Sequence, residues 1–349
     1  MREKKMSTSV SAIKGITIVQ PVIGRIMMGH TEVRAGGKCV PQKDDHFTIT
    51  TLVQKDDRSW EKHPINDVLQ PPAPQSRARA AAAQAAAANQ TAQQTLNSIP
   101  VKIAYNNPAL NLHSSYSAFD SKTGRVMCTS DGETARRATS EGIATMACPR
   151  PEACEFGRRN RCKNMSRFYV QIDGQDDELG TFILRSTSWN SLTAISARLA
   201  MLHGLTGGRL AGLPVMLQLK VKTTTMSFRQ PIYFADLVFR PGMTMTQAIE
   251  AARTFQKERA QSGLSQEGLE QALAAGLLNG DFAEQVEDID EWLSDEDLAA
   301  RAEDNLKSTG LRGLDSVRSA TSATTTQVAG AVQPAATVAI QQQGFALSA

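Results

Sequence analysis

Four cysteines lie close together in this sequence, and their spacing indicates metal chemistry. Cys128 is followed by Cys148, Cys154 and Cys162, so four of the five cysteines fall within 35 residues. Cysteine thiolates bind Zn²⁺ tetrahedrally at about 2.3 Å, and a site closed by four protein ligands is the usual structural form. The cluster therefore predicts a structural Zn²⁺ site, which would leave no open position for a water molecule.

The spacing of these cysteines leaves other interpretations open. The pattern C-x19-C-x5-C-x7-C lacks the tight C-x2-C pair of zinc ribbons. Four cysteines also hold iron–sulfur clusters, and free cysteines are often simply small buried side chains. We favour Zn²⁺ over an iron–sulfur cluster because no other feature of the sequence indicates electron transfer. His113 and His203 are reserve ligands in case Cys128 points elsewhere.

Basic side chains surround the last three cysteines. From Lys122 to Arg167 the chain carries ten Lys or Arg against five Asp or Glu. Phosphates neutralised by such cations contribute salt-dependent affinity, so a rigid basic loop is suited to DNA or to an acidic partner. Alternatively, the loop is solvated and its charge offsets the thiolates. The residues that we predict to contact nucleic acid or a partner are Arg158, Arg159, Arg161, Lys163 and Arg167.

An acidic segment follows much later in the chain. Between Glu267 and Asp304 there are thirteen Asp or Glu and one Arg. Within it, four apolar residues recur at helical spacing, which predicts an amphipathic helix that docks on a partner or on the protein's own body. These residues are Phe282, Val286, Ile289 and Leu293.

The elements that must position the cysteines predict an α+β fold. Val215, Leu217, Leu219 and Val221 alternate with polar residues, which is typical of a half-buried antiparallel strand. RFYVQI and GTFILRST read as a hairpin joined by a polar turn. A helix should end at Gly204, and a T-x-x-Q capping box at Thr244 should begin another. We expect a mostly antiparallel sheet with two or three packed helices and a Cys-rich metal loop.

Composition divides the chain into five parts. Residues 12–70 form a β-rich segment that we expect to pack on the core, and residues 71–98 form an Ala/Gln-rich linker or insertion. The α+β core with the cysteines spans residues 99–260. An acidic helical region covers residues 262–306, and the Ser/Thr/Ala/Gln-rich residues 307–349 predict a disordered tail.

Several classes of protein are disfavoured by what the sequence lacks. No apolar run approaches the ~20 residues that span a bilayer, and no secretory signal is evident, so we expect a cytoplasmic protein. Thiols stay reduced there, which favours cysteines as ligands rather than disulfides. The phosphate-binding and hydrolase motifs GxxxxGK[ST], HExxH and GxSxG are absent. Gln218-Leu-Lys220 is nuclease-like, but residues 179–235 contain no Asp or Glu.

Seven segments spread over most of residues 20–255 share a pattern with a known family. They are PVIGRIMMG, CTSDGETARR, ACPRPEACEFGRRNRCK, RFYVQI, GTFILRSTSWNS, GLPVMLQLKVKTTT and PIYFADLVFRPGMT. With these segments the chain resembles the recombination directionality factor-like family of phages and integrative elements. The resemblance implies an accessory protein that binds a serine integrase on DNA and turns it from integration towards excision. It also implies that Cys128, Cys148, Cys154 and Cys162 bind a metal.

We therefore expect a non-enzymatic, Zn²⁺-stabilised protein of a mobile genetic element. Its partner would be a serine integrase or another recombination protein in a bacterial host cell, with DNA contacts through the basic cysteine loop and none with a membrane. The alternative is a metal-dependent hydrolase or nuclease of phage or plasmid DNA metabolism, which would need an open metal position and a nearby carboxylate or histidine.

Overall fold

The computed structural model describes residues 20–34, 38–55, 59–69, 96–120, 125–225 and 229–283. In these ranges the strands are β1 (Val22–Arg34), β2 (Lys38–Gln54), β3 (Trp60–Lys62), β4 (Ser98–Ile103), β5 (Leu112–Phe119), β6 (Val126–Ser130), β7 (Thr134–Thr139), β8 (Gly142–Ala147), β9 (Lys163–Ile172), β10 (Thr181–Ser186), β11 (Pro214–Lys222) and β12 (Ile232–Val238). The helices are α1 (Ile65–Leu69), α2 (Pro108–Asn111), α3 (Arg150–Ala153), α4 (Glu155–Arg159), α5 (Trp189–Leu205), α6 (Met245–Gln261) and α7 (Gln266–Ala283).

All these strands belong to one sheet, which forks at β9. One edge of β9 pairs along its length with β10, followed by β1, β2 and β3. The first half of its other edge pairs with β5, and the second half pairs with β4. From β5 the cysteine arm continues through β6, β7 and β8, whereas from β4 the core arm continues through β11 and β12.

The hydrophobic core lies on the side of the core arm. Large side chains from β1, β2, β4, β9, β10, β11 and β12 form one buried cluster with α5 and α6. In α5 the buried residues Ile195, Leu199 and Leu202 recur at helical spacing and face the sheet. β11 and β12 also contact β2, so this part of the sheet curves around its core.

The predicted α+β fold with a mostly antiparallel sheet is confirmed. β9 and β10 form the predicted hairpin, and the Thr244 capping box begins α6. In β11 the core face ends early, because Val221 is 57% exposed. α5 continues one residue past Gly204, and its chain reverses instead at Gly207 and Gly208, which have positive φ.

Several predictions concern parts of the chain outside the described residues. These are most of the Ala/Gln-rich stretch, most of the acidic region and the whole of residues 307–349. Val286, Ile289 and Leu293 also lie outside, while Phe282 falls in the last turn of α7. In the described part of the chain, the helices are too short or too polar to cross a membrane.

Candidate metal centre

The cysteine arm brings the four clustered cysteines together from separate elements. Cys128 lies in β6, opposite Arg137 of β7. Cys148 directly follows β8, and its backbone N–H donates to the carbonyl of Glu133 at 2.7 Å. Cys154 separates α3 from α4, and Cys162 precedes β9. The hairpins β6–β7 and β7–β8 thus fix two cysteines, and the α3–α4 loop returns the other two to them.

All four cysteines line one small cavity. The cavity has room for about one water-sized sphere, which is enough for a single metal ion. Among the described residues that line it, none carries a carboxylate or an imidazole, so the reserve ligands His113 and His203 do not take part. Cys39 lies in β2, which four strands separate from β6 in the sheet.

Gly157 in α4 allows the last two cysteines to approach each other. Its backbone N–H donates to Sγ of Cys154 at 3.2 Å, in the manner of an N-cap. A Cβ at this position would stand 3.1 Å from Cβ of Cys154 and 3.2 Å from Cβ of Cys162. Close packing between the two cysteines therefore favours glycine at this position.

The environment of the thiols disfavours their ionisation. Burial, and after it repulsion from the neighbouring Cys128, Cys148 and Cys154, together raise the pKa of the Cys162 thiol to about 12. Burial also raises the pKa of Cys128, an effect that Arg137 opposes. Such a group is held in its neutral form unless a cation among the sulfurs compensates the thiolate charges.

Arg137 supplies one fixed positive charge beside the thiols. Its guanidinium stacks 4.0 Å from the centre of the Phe156 ring, and Nη2 lies 3.8 Å from Sγ of Cys154. Its Nε is buried with no hydrogen-bond acceptor. A buried N–H donor without an acceptor at this position is compatible with negatively charged sulfurs, because thiolates are far better acceptors than thiols.

The donor set thus suits a structural Zn²⁺ ion, but the coordination shell is not assembled. Across the described ranges, no group of three or more His, Cys, Asp or Glu side chains is arranged as a ready-made metal site. The four thiols share a cavity without converging on one point at ligand distance, and Zn²⁺ binding stays a prediction.

Substituting Gly157 by alanine should lower the stability of the cysteine arm. The added Cβ would stand in tight contact with two cysteine side chains, and overpacking of this kind costs about 1–3 kcal/mol. Urea titration of the variant measures the loss. Gly204→Ala is the matched control: its Cβ would meet no atom within 4 Å, and replacing a helical glycine should be neutral or slightly stabilising. Equal effects of the two substitutions would contradict the close packing at Gly157.

The five basic residues that were predicted to contact nucleic acid or a partner do not form one surface. Arg158 and Arg159 are exposed on α4, where Arg159 pairs with Glu155 at 2.6 Å. Arg161 follows them in a left-handed backbone conformation with φ of 50°. Lys163 and Arg167 belong to β9, and Arg167 is only 3% exposed. Arg167 is therefore unsuited to surface recognition.

The nuclease-like residues Gln218 and Lys220 make contacts within the sheet. Gln218 of β11 lies opposite Asp236 of β12, and Nζ of Lys220 contacts Oδ2 of Asp236 at 2.6 Å. Arg198 approaches the same carboxylate at 3.7 Å. Asp236 is buried between these two cations, so its carboxylate is occupied by contacts within the β11–β12 pair and with α5 rather than presented to a metal.

Arg137 is the residue of this site that the sequence did not single out. Arg137 was indistinguishable from its neighbour Arg136 until the register of β6 and β7 placed it opposite Cys128. Gly157 did carry a signal, since a glycine between two cysteines of a short loop indicates close backbone approach.

Comparison with known proteins supports the resemblance seen in the sequence. Residues 23–240 match the model of a family described as Gp3-like, recombination directionality factor-like, which is more than half of the 349-residue chain. Searches of curated proteins and of solved structures gave no significant match. The matched range includes the fork at β9, the core arm and all four clustered cysteines. The chain belongs to the Gp3-like, recombination directionality factor-like family.

Proposed function

We propose that this protein is a non-enzymatic, Zn²⁺-stabilised accessory factor that binds a serine integrase on DNA and promotes excision. Family membership supports a role in recombination. The observation that carries the finer proposal is the cavity lined by Cys128, Cys148, Cys154 and Cys162 without any carboxylate or imidazole. Four thiolates can close the coordination of one Zn²⁺ ion, and such a site shapes a surface instead of activating water.

The Zn²⁺ ion would act as a crosslink within the cysteine arm. The residues that would hold it come from β6, from the end of β8, and from both ends of α4. Gly157 keeps Cys154 in place through its N–H, and Arg137 would balance part of the negative charge of four thiolates. Protein-bound metal, measured on the purified chain, should amount to one Zn²⁺ per molecule and should be lost in a Cys154→Ser variant.

The exposed part of the cysteine loop would provide the contact with DNA. Arg158 and Arg159 project from α4 next to the thiol cavity, which fixes their backbone. A phosphate contact from each arginine would add to affinity and to its dependence on salt, independently of DNA sequence.

Reversing both charges, with Arg158→Glu and Arg159→Glu, should weaken binding to duplex DNA about tenfold and flatten its salt dependence. The measurement is fluorescence anisotropy with a labelled duplex over a series of salt concentrations. Arg253→Glu is the control, because Arg253 is exposed on α6 and pairs only with Glu250 at 3.5 Å. An unchanged salt slope in the double variant would show that α4 does not contact phosphate.

The functional test is a recombination assay with the serine integrase of the same genetic element. Purified chain added to integrase and to DNA with the two hybrid attachment sites should yield the excised product, which integrase alone should not form. Cys154→Ser should abolish this effect, while Cys39→Ser should leave it intact. Binding to integrase with no change in the products would refute a directionality role without affecting the Zn²⁺ proposal.

A further inference from the structure

The described sheet ends at three strands, and two of these ends are protected against further pairing. β3 spans only Trp60–Lys62 and carries Glu61 and Lys62 among its three residues. β12 packs against α5, where the backbone N–H of Ala235 donates to Oγ of Ser191 at 3.1 Å. Very short strands, charged side chains and covering helices are the usual means by which proteins prevent edge-to-edge association. β8 lies at the third end of the sheet.

The edge strand β8 is uncharged and exposed. Within the described ranges it pairs with β7 alone. Its six residues, Gly142–Ala147, include neither a charged side chain nor a proline. Four of the six are exposed, and the apolar Ile143 is 50% exposed. An edge without these protective residues presents backbone N–H and C=O groups to any strand that can align with it.

The hydrogen bonds of the β7–β8 hairpin identify the backbone groups that face outward. Cys148 directly follows β8 and donates its backbone N–H to the carbonyl of Glu133, which directly precedes β7. In an antiparallel pair, successive residues bond alternately towards the partner strand and away from it. The N–H and C=O groups of Ile143, Thr145 and Ala147 therefore point away from β7, with Thr145 at their centre.

This edge is complementary to a second copy of itself. In antiparallel pairing about a two-fold axis at Thr145, Ile143 lies opposite Ala147 of the other copy, and the outward groups of each opposed pair exchange two hydrogen bonds. A large side chain then meets a small one on that face of the sheet. The same holds on the other face, where Met146 lies opposite Ala144 of the other copy. The two threonines at the axis form a favourable cross-strand pair.

Charge and proline fit the same register at both ends of the contact. The register places Glu141, which is exposed in the β7–β8 turn, next to the loop of the other copy that contains the exposed Arg150. Opposite charges thus approach each other twice, once at each end. Pro149 lacks the N–H that a further pair would need, so the strand pairing ends after Ala147.

We propose that β8 pairs with β8 of a second copy of the chain, in antiparallel register about Thr145, and joins two cysteine arms into one continuous sheet. The contact is short and should bury less than the ~1,200 Å² of a standard interface, so the dimer should form and dissociate with protein concentration. The assignment depends neither on DNA nor on the identity of the recombinase. It requires only that the cysteine arm is folded.

Cysteine crosslinking of the full-length chain tests the contact directly. In a Cys39→Ser background, a short bis-maleimide should join Thr145→Cys to the same position of a second copy, because the two Cα atoms would lie about 5.5 Å apart. Ser140→Cys is the control, since two copies of that exposed position would lie about 30 Å apart. Peptide mass spectrometry identifies the linked positions. No link at Thr145→Cys, or equal links in the two variants, would overturn the proposal.

Mixing two single variants tests the register. Chains with Ile143→Cys and chains with Ala147→Cys should link to each other at least about tenfold more than either variant links to itself, because the two positions lie opposite each other. Copies of the same position would be about 14 Å apart. A higher yield within either variant alone would contradict antiparallel pairing about Thr145.

Sedimentation equilibrium of the full-length chain supplies an independent measurement. Ile143→Lys with Ala147→Lys places like charges opposite each other in both flanking pairs and should raise the dissociation constant of the dimer at least about tenfold. Ala197→Lys with Ala200→Lys is the matched control, because it adds the same charge at exposed positions of α5 and should leave the constant unchanged. Thr145→Pro removes the outward N–H at the axis without removing a β7–β8 bond, and should also weaken the dimer.

Hydrogen exchange of β6 and β7 shows whether the cysteine arm stays folded in these variants. If a lysine variant unfolds the arm, the crosslink at Thr145→Cys decides. A monomer at every concentration of the unmodified chain, or equal dissociation constants in the β8 and α5 lysine variants, would overturn the proposal. An arm that is unfolded in the unmodified chain would overturn it as well, because β8 would then have no edge to pair.

Discussion

Cys154→Ser is expected to abolish the proposed Zn²⁺ binding and to unfold β6, β7 and β8 while the core arm stays folded. The cysteine arm has almost no core of its own: its buried cluster consists of Ala118, Cys128 and Ala135, with Met146, Cys148, Phe156 and Cys162 at its border. Small side chains bury little apolar area, and structures of this size are usually held by a metal or by disulfides. None of the four clustered cysteines forms a disulfide.

The size of the effect follows from the coupling between metal binding and folding. Zn²⁺ binding to small zinc domains contributes an apparent ~10–16 kcal/mol, which is an upper bound here because β5 and β9 also support the arm. The free energy lost with one of four ligands should therefore exceed the free energy of unfolding of a small structural unit, which is only a few kcal/mol. The core arm does not contribute to this cluster and should be unaffected.

Hydrogen exchange followed by mass spectrometry measures this prediction segment by segment. In Cys154→Ser, or after removal of metal by a chelator, amides of β6, β7 and β8 should exchange at least about a hundredfold faster, and those of β4, β11 and α5 at their original rates. Cys39→Ser is the control for loss of a thiol outside the cluster. Unchanged exchange in the cysteine arm after chelation would refute a stabilising metal.

The core arm could be predicted from the sequence because its strands carry large alternating side chains. Val215 and Leu217 of β11 show a period of two, β9 and β10 carry short runs of consecutive large apolar residues, and the capping box at Thr244 marks the start of α6. The strands β6, β7 and β8 were missed for a physical reason. Their inward positions hold Cys128, Ala135 and similar small residues, so no hydrophobic alternation marks them.

The site was predictable as a group of neighbouring cysteines but not as a structure. Cysteine spacing alone indicated that the four thiols meet, whereas the role of Arg137 depends on the register of a hairpin that local sequence did not reveal. Arg167 was assigned to the surface because it belongs to a basic run. Arg167 lies two residues after the apolar Met165 in β9, so both share one face of the strand, and this spacing is the signal that Arg167 faces a covered side of the sheet. Likewise, the parallel pairing of β1 with β10 is non-local and leaves no mark in either strand.

Phe182→Ala is expected to have the opposite pattern from Cys154→Ser, a loss of stability that spreads through the core arm. Phe182 is fully buried in β10, between Val170 of β9 and Gly24 of β1. Its ring packs edge-on against His63, with 4.9 Å between centroids. Gly24 is what permits this position, because a Cβ there would stand 2.6 Å from the ring. The phenyl ring thus joins the N-terminal hairpin to the rest of the sheet.

Truncating a buried phenylalanine to alanine costs about 3–5 kcal/mol, since it removes the transfer free energy of the ring and leaves a cavity. In a cooperative domain of this size, each kcal/mol lowers Tm by about 2–4 °C. Phe239→Ala removes the same ring from a position that is 37% exposed, and should cost about 1 kcal/mol or less. Urea titration and hydrogen exchange of both variants measure these losses. Faster exchange confined to β1 and β2 in Phe182→Ala would show that the β1–β2 hairpin unfolds separately. That result would contradict cooperative unfolding of this hairpin together with the core arm.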